Sequence, residues 1–312
     1  MRILSTLPIK EERRAAVQNI VKDAEYVYVR ELNVPDEKAE ILVTFGPEVT
    51  AENLARFPRL RWIQAMSAGV DNYPLPALAE RGITLTNARG AHQIQMTEHI
   101  MWSILTLFRQ AQVFMRQQEK KVWDSAVMLE ELYAKTVCIV GAGRIGEAVA
   151  EKCRAFGMTV LGISHSGASH PAYDRVGNLA ALEDFLAMTD VVVVLLPLTP
   201  VTVGFFNAQR FRAMKKGSYF INVARGPVVD EPALLAALRE GRVGAAALDV
   251  FRQEPLPAES PFWTLPNVVV TPHIGGRSPH YNQRTFAIFL KNLSVYPEFG
   301  RMVNRIDLSK GY

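Results

Sequence analysis

Cysteine is scarce in this chain. Its 312 residues hold two, Cys138 and Cys153, and neither belongs to a Cys-x-x-Cys pair. A disulfide framework is therefore not expected, and two buried, reduced thiols in a cytoplasmic protein are. Long hydrophobic runs are also lacking. The two longest, over 100–108 and 191–196, are too short to span a bilayer. The first eight residues carry too short an apolar run for a secretory signal. Nor does one sign of charge dominate. Lys and Arg number 35 against 31 Asp and Glu, a formal net charge of +4. The doubled bases Arg13-Arg14, Lys120-Lys121 and Lys215-Lys216 are isolated, so neither a nucleic-acid stripe nor a membrane partner is expected. A mildly basic balance suits a small anionic substrate. Internal repeats and low-complexity segments are absent as well. What remains is ordinary globular composition, 49% hydrophobic and 21% charged, at a length that favours two domains.

The most informative stretch runs from Thr136 to Gly146, TVCIVGAGRIG. Apolar and β-branched residues enter a glycine turn, and helical periodicity follows. Each glycine has a mechanical reason: Gly141 permits the turn, Gly143 lets a pyrophosphate approach the backbone, and Gly146 lets helix and strand pack closely. The helix start at Arg144 and Ile145 then presents N–H groups to phosphate. The pattern predicts a dinucleotide site. The next strand, over 159–163, ends in Ser164-His165-Ser166. A carboxylate for the adenosine ribose usually stands at such an end. Here there is none, and Asp174 lies well downstream. Losing the acid removes repulsion against a 2′-phosphate, and the three polar residues can hydrogen-bond it, so NADP is expected in preference to NAD.

Around this unit, alternating strands and helices predict α/β architecture with doubly wound parallel sheets. Short strands are expected over 2–7, 26–29, 41–44, 61–65 and 83–86, then one helix of more than six turns over 95–120 as an interdomain spine. A loop over 121–132 carries Trp123. Later strands are expected over 190–196, 218–223, 245–250 and 268–271, and a last helix over 282–293. Small residues follow the strand at 61–65. The turn Met66-Ser67-Ala68-Gly69-Val70-Asp71 can leave amides open to a carboxylate, although the residues alone favour a plain strand-to-helix turn.

Ligands of open α/β sheets bind beyond the carboxyl ends of the strands. Arg225, Glu254 and His273 all stand at or just after such ends. A guanidinium can hold a carboxylate and polarise the neighbouring carbonyl. A histidine can protonate the developing alkoxide as hydride arrives, and a carboxylate on its other nitrogen would fix the tautomer. The trio predicts a keto-acid reductase.

The chain resembles the D-isomer-specific 2-hydroxyacid dehydrogenase family over nearly its whole length. The resemblance rests on VGAGRIG over 140–146, LPLT over 196–199, FINVARGPVVD over 220–230, ALDVF over 247–251 with EPLP over 254–257, and NV followed by TPHIGG, ending at 276. It implies two Rossmann-like or flavodoxin-like domains with the active site in the cleft between them. Residues 1–95 and 283–312 would form the substrate domain, and 96–282 the NAD(P)-binding domain. Arg225 would bind substrate, Glu254 would support His273, and His273 would be the acid/base. Ala68, Gly69 and Val70 would offer amides to the substrate carboxylate. Asp249 would contact the nicotinamide amide, with Pro197, Thr202, Val223, Ala224 and Gly275 also lining the cofactor. The resemblance further implies a homodimer. Compact length is similar to glyoxylate/hydroxypyruvate reductases, whereas the stretch Ala88 to Glu98 departs from the common pattern and makes substrate preference less transferable. Cofactor-sensing co-repressors resemble the same family and form the alternative reading.

Overall fold

The computed structural model describes residues 1–311; Tyr312, which closes the expected substrate domain, lies outside the described residues. The chain divides into two compact units, Met1–His92 with Ser278–Tyr312, and Gln93–Arg277.

The first unit holds strands β1 (Arg2–Ser5), β2 (Glu25–Tyr28), β3 (Ala39–Thr44), β4 (Trp62–Ala65) and β5 (Thr84–Thr86). All are parallel, in the order β2-β1-β3-β4-β5. Period-two alternation sends neighbouring residues to opposite faces. Ile3, Ile41 and Trp62 meet Phe289 and Leu293 on one face, while Leu4, Leu42 and Ile63 meet Leu54, Phe57 and Leu78 on the other. The covering helices are α1 (Glu11–Ile20), α2 (Ala51–Leu54) and α3 (Leu75–Glu80). A helix over Tyr281–Leu293, chain-last and so α10, returns to pack beside α1.

The second unit begins with α4 (Gln93–Phe108) and α5 (Ala111–Lys120). This corrects the expectation of one long helix. Gln110 takes a left-handed φ of 51°, and the Phe108 carbonyl accepts from Glu130 N–H at 3.1 Å. The buried stripe Ile100, Ile104, Leu107 and Phe108 ends there, so apolar burial no longer favours one continuous helix beyond it. The following segment has no regular structure, and its Trp123 is 98% exposed.

Strands β6 (Thr136–Val140), β7 (Thr159–Ile163), β8 (Arg175–Gly177), β9 (Val191–Val194), β10 (Ser218–Asn222), β11 (Val243–Leu248) and β12 (Val268–Val270) form one parallel sheet. Its order is β12-β11-β10-β9-β6-β7-β8. The chain runs outward from β6 to β8, then restarts at β9 on β6's other side. The exit of β6 is thus a topological switch point, where such sheets bind ligands. Helices α4 and α6 (Arg144–Ala155) cover one face, and α7 (Leu182–Met188), α8 (Ala208–Ala213) and α9 (Glu231–Arg239) the other. The strand β8 has no sequence signal, being three residues with a glycine at an edge. Both cysteines are free and buried, and burial pushes each thiol up to about 12. No helix is long and apolar enough to cross a membrane among the described residues.

Candidate active site

The glycine turn joins three strands. The N–H groups of Gly141 and Ala142 both donate to the Ile163 carbonyl, at 2.9 Å each, and Leu195 N–H donates to Val140 at 2.8 Å. Gly141 has φ +113°, and a Cβ there would sit 2.7 Å from the Leu195 carbonyl oxygen. At Gly143 a Cβ would meet nothing within 4 Å, so the space over the turn is open. Gly143 caps α6 without a side-chain hydrogen bond, leaving the first-turn N–H groups of α6 facing that space. Gly146 does more than admit the strand. A Cβ there would lie 2.7 Å from the Tyr173 hydroxyl, as well as 3.1 Å from Ile139 Cγ2. Tyr173 thus fills the underside of the turn, which the sequence did not signal. An open cradle under a helix N-terminus fits a dinucleotide pyrophosphate.

At the end of β7, Ser164 Oγ accepts from Gly167 N–H at 3.0 Å, and Ser166 Oγ from Ala168 N–H at 3.3 Å. His165 is exposed. Asp174 is elsewhere: its carboxylate accepts from Val160 N–H at 2.7 Å, at the entry of β7 rather than its exit. Among the described residues, then, the strand end carries no acid. On the β9 exit, the Thr202 hydroxyl donates to Pro197 O at 2.7 Å and accepts from Thr199 N–H at 2.7 Å, so it shapes its own loop. Val223 and Ala224 are buried.

The neighbouring exits of β10, β11 and β12 carry the chemical groups. Asn222, unremarked in the sequence, shapes the Arg225 turn: its Oδ1 accepts from Ala224 N–H at 3.1 Å, and its Nδ2 donates to Arg225 O at 3.3 Å. Gly226 packs directly on the next exit loop. A Cβ there would fall 1.9 Å from the Phe251 carbonyl carbon and 2.3 Å from Arg252 N. Glu254 bridges onward. One carboxylate oxygen accepts from Phe251 N–H at 2.9 Å, and the other lies 2.7 Å from His273 Nδ1. His273 remains 48% exposed at its side chain, leaving Nε2 open for chemistry. An ionised carboxylate only accepts, so the bond puts the proton on Nδ1.

Asp249 sits beneath, 2% exposed. It accepts from Thr271 Oγ at 2.6 Å and from the N–H groups of Ile274 and Gly275 at 2.9 Å each. The buried carboxylate thus organises the His273 loop. Thr271 is a further residue the sequence reading missed.

In the first unit, the turn after β4 is held from behind. Asn87 Nδ2 donates to Ala68 O at 2.6 Å, and Ser67 Oγ to Gly69 O at 2.7 Å. Among the described residues, none accepts from the N–H groups of Ala68, Gly69 or Val70. No cluster of three metal-ligating side chains occurs among the described residues.

Comparison with known proteins agrees with this architecture. Residues 101–275 match the family model described as D-isomer specific 2-hydroxyacid dehydrogenase, NAD binding domain. The chain is 35% identical over 260 residues to glyoxylate/hydroxypyruvate reductase B of Yersinia enterocolitica, covering 81% of this chain and 79% of that one. Among solved structures, it is similar to an NADPH-dependent glyoxylate/hydroxypyruvate reductase of Sinorhizobium meliloti in complex with NADP and sulfate. There the TM-score is 0.85 at 29% identity, covering 100% of this chain and 99% of that one. A D-isomer specific 2-hydroxyacid dehydrogenase of Xanthobacter autotrophicus in complex with NADPH and MES gives 0.84 at 30% identity, with 100% and 99% covered. With its glycine turn at a switch point and its arginine, glutamate and histidine on adjacent strand exits, the chain belongs to the D-isomer specific 2-hydroxyacid dehydrogenase family of NAD(P)-dependent oxidoreductases.

Proposed function

We propose that the protein reduces a small 2-keto acid of the glyoxylate or hydroxypyruvate type to the D-2-hydroxy acid, with NADPH preferred over NADH. The carrying observation is the 2.7 Å pair between His273 Nδ1 and Glu254, with Nε2 left open. A dihydronicotinamide held over the glycine turn would supply the hydride that the keto carbon takes up. His273 Nε2–H gives its proton to the carbonyl oxygen, completing the alcohol. Glu254 keeps the other proton on Nδ1 and fixes the ring. Arg225 holds the carboxylate and polarises the carbonyl. The open amides of Ala68, Gly69 and Val70 are further carboxylate donors in this reading. Gly141, Gly143, Arg144, Ile145 and Gly146 would cradle the pyrophosphate, and Ser164, His165 and Ser166 the adenosine ribose phosphate. The remaining cofactor contacts are assigned to Pro197, Thr202, Val223, Ala224, Asp249 and Gly275.

The NADPH preference rests on the acid-free end of β7. A homodimer is part of the same proposal. The segment after α5 exposes Trp123, Met128 and Tyr133, at 98%, 87% and 73%, a set of large apolar side chains that a second copy would cover.

The test is loss of NAD(P)H absorbance with glyoxylate, hydroxypyruvate and pyruvate, each with both cofactors. Turnover of glyoxylate or hydroxypyruvate supports the reading. Tight cofactor binding without turnover of any keto acid would overturn it and favour a cofactor-sensing protein on the same fold. Light scattering at the monomer mass would remove the dimer.

A further inference from the structure

The loop that carries His273 is held in an unfavourable conformation. His273 has φ +52°, in the left-handed region that a non-glycine residue adopts only when its surroundings over-determine it. Its own N–H donates to Asp249 O at 2.8 Å, and the Asp249 carboxylate takes the next two N–H groups and the Thr271 hydroxyl. That carboxylate is buried, and among the described residues no lysine or arginine pairs with it. Its hydrogen bonds are therefore all to neutral donors, and their geometry decides where it points.

A further donor to this network stands on α4. His99 Nε2 lies 3.4 Å from Thr271 Oγ and 3.6 Å from Asp249 Oδ1. Thr271 has one hydroxyl proton, and its 2.6 Å bond to Asp249 uses it. Towards His99, therefore, Thr271 can only accept, and His99 must carry its proton on Nε2. Burial pushes the His99 imidazole below the ordinary histidine range, against a smaller upward pull from Asp249, so the ring is neutral near neutral pH. The same ring lies against the loop. A Cβ at Gly275 would sit 3.0 Å from both His99 Cδ2 and Asp249 Oδ2, and 3.3 Å from Met96 Sδ. Gln95, also on α4, donates to Gly276 O at 3.1 Å. Trp102 packs against the far side of the imidazole, ring centroids 5.4 Å apart.

We propose that His99 is a positioning residue for His273: its Nε2–H completes the Thr271–Asp249 clamp and locks the loop Pro272–Gly276 onto α4. The inference rests on the assignment of His273 as the acid. His99 touches neither substrate nor cofactor in this scheme. It acts through Asp249, by keeping the carboxylate pointed at the Ile274 and Gly275 amides.

Two substitutions on the full chain separate the donor from the shape. His99→Leu keeps most of the volume and removes the donor, while His99→Gln retains an N–H near Nε2. Amide hydrogen exchange at Ile274 and Gly275, followed by NMR without substrate, reads the clamp directly. Protection should fall by about tenfold or more in His99→Leu and return in His99→Gln. With NADPH and glyoxylate, kcat should fall about tenfold in His99→Leu, and His99→Gln should recover most of it. Unchanged exchange and kcat in His99→Leu would overturn the proposal. So would a His99→Gln as impaired as His99→Leu, because shape alone would then be at work. If His99→Leu does not fold, Thr271→Val interrupts the same bridge, and undiminished protection in that variant overturns the proposal equally. A wild-type protein that reduces no keto acid would sink the functional reading instead, and the exchange measurement would still decide this one.

Discussion

Gly226 is the residue at which a single methyl group should do the most harm. It stands between Arg225 and the loop that carries Glu254. A Cβ at position 226 would fall 1.9 Å from Phe251 C, 2.0 Å from Phe251 O and 2.3 Å from Arg252 N. All three are backbone atoms, so no side chain can swing aside. Ordinary contact begins near 3.4 Å, so Gly226→Ala must part the two loops by roughly 1.5 Å. Overpacking of this kind costs about 1–3 kcal/mol, which lowers Tm by roughly 2–10 °C in a domain of this size. Catalysis should suffer more than stability. Arg225 moves with residue 226, whereas His273 stays with Glu254, so the proposed substrate anchor shifts relative to the proposed acid. A displacement of about 1 Å can cost about 10²-fold, and kcat/KM for glyoxylate should fall by that order. Stopped or steady-state NADPH oxidation measures the rate, and thermal unfolding measures the cost. Gly143→Ala is the control. Its Cβ would meet nothing, and its φ is not left-handed, so Tm should be unchanged and any loss should appear in KM for NADPH. A Gly226→Ala protein with wild-type kcat/KM and Tm would refute the packing argument.

Removing the proposed acid, His273→Ala, should lower kcat by roughly 10²–10⁴-fold with little change in NADPH affinity; near-wild-type turnover would discard the assignment. Arg225→Lys keeps the charge but loses the planar fork, so kcat/KM for glyoxylate should drop at least about tenfold while NADPH affinity without substrate holds; the reverse pattern would make Arg225 a cofactor ligand. Ser164→Asp should move the ratio of kcat/KM from NADPH towards NADH, because a carboxylate at the β7 exit accepts ribose hydroxyls and repels a 2′-phosphate; an unchanged ratio counts against the cofactor reading. Stability should decline on the acid side through His99. Its folded pKa lies below the unfolded value of 6.5, so the unfolded chain takes up this proton first. This contribution is intact above 6.5 and is lost as pH falls from there through the folded value; His99→Gln should flatten that limb of a Tm-against-pH curve, and an unaltered limb would contradict the linkage.

How much of this could be read from the sequence depended on the range of the interaction involved. The strands announced themselves because burial on both faces demands continuous apolar runs, as in Val191–Val194 and Thr136–Val140. Local chemistry was legible because it depends on near neighbours: a glycine turn suits a pyrophosphate when a strand enters it and a helix leaves it, and strand exits are where side chains can meet ligand. Boundaries set by tertiary contact were not legible. Apolar periodicity carried the reading straight through residue 110, yet the helix ends where its core partner ends, and Phe108 is capped by a chain segment twenty-odd positions later. The edge strand Arg175–Gly177 exists because β7 offers it a ladder, and nothing in three residues says so.

In the proposed site, the groups assigned to the chemistry were visible and the groups that hold them were not. Arg225, Glu254 and His273 stand out because charged residues at strand ends require a reason. Asp249 stood out too, but as a nicotinamide contact; its bonds to Thr271, Ile274 and Gly275 make it first a brace for the histidine loop. His99, on the helix expected over 95–120, carries no local signal of its role. Its meaning appears only when α4 and the exits of β11 and β12 are brought together, because the proton on its Nε2 is assigned by Thr271, 172 positions away. Gly226 read as a motif letter, although its missing Cβ is what lets the Arg225 turn touch the Phe251–Arg252 backbone. Reacting groups are specified by their own chemistry, and a single sequence carries that. Supporting groups are specified by whatever lies across from them, so they become legible only at the distances a folded chain supplies.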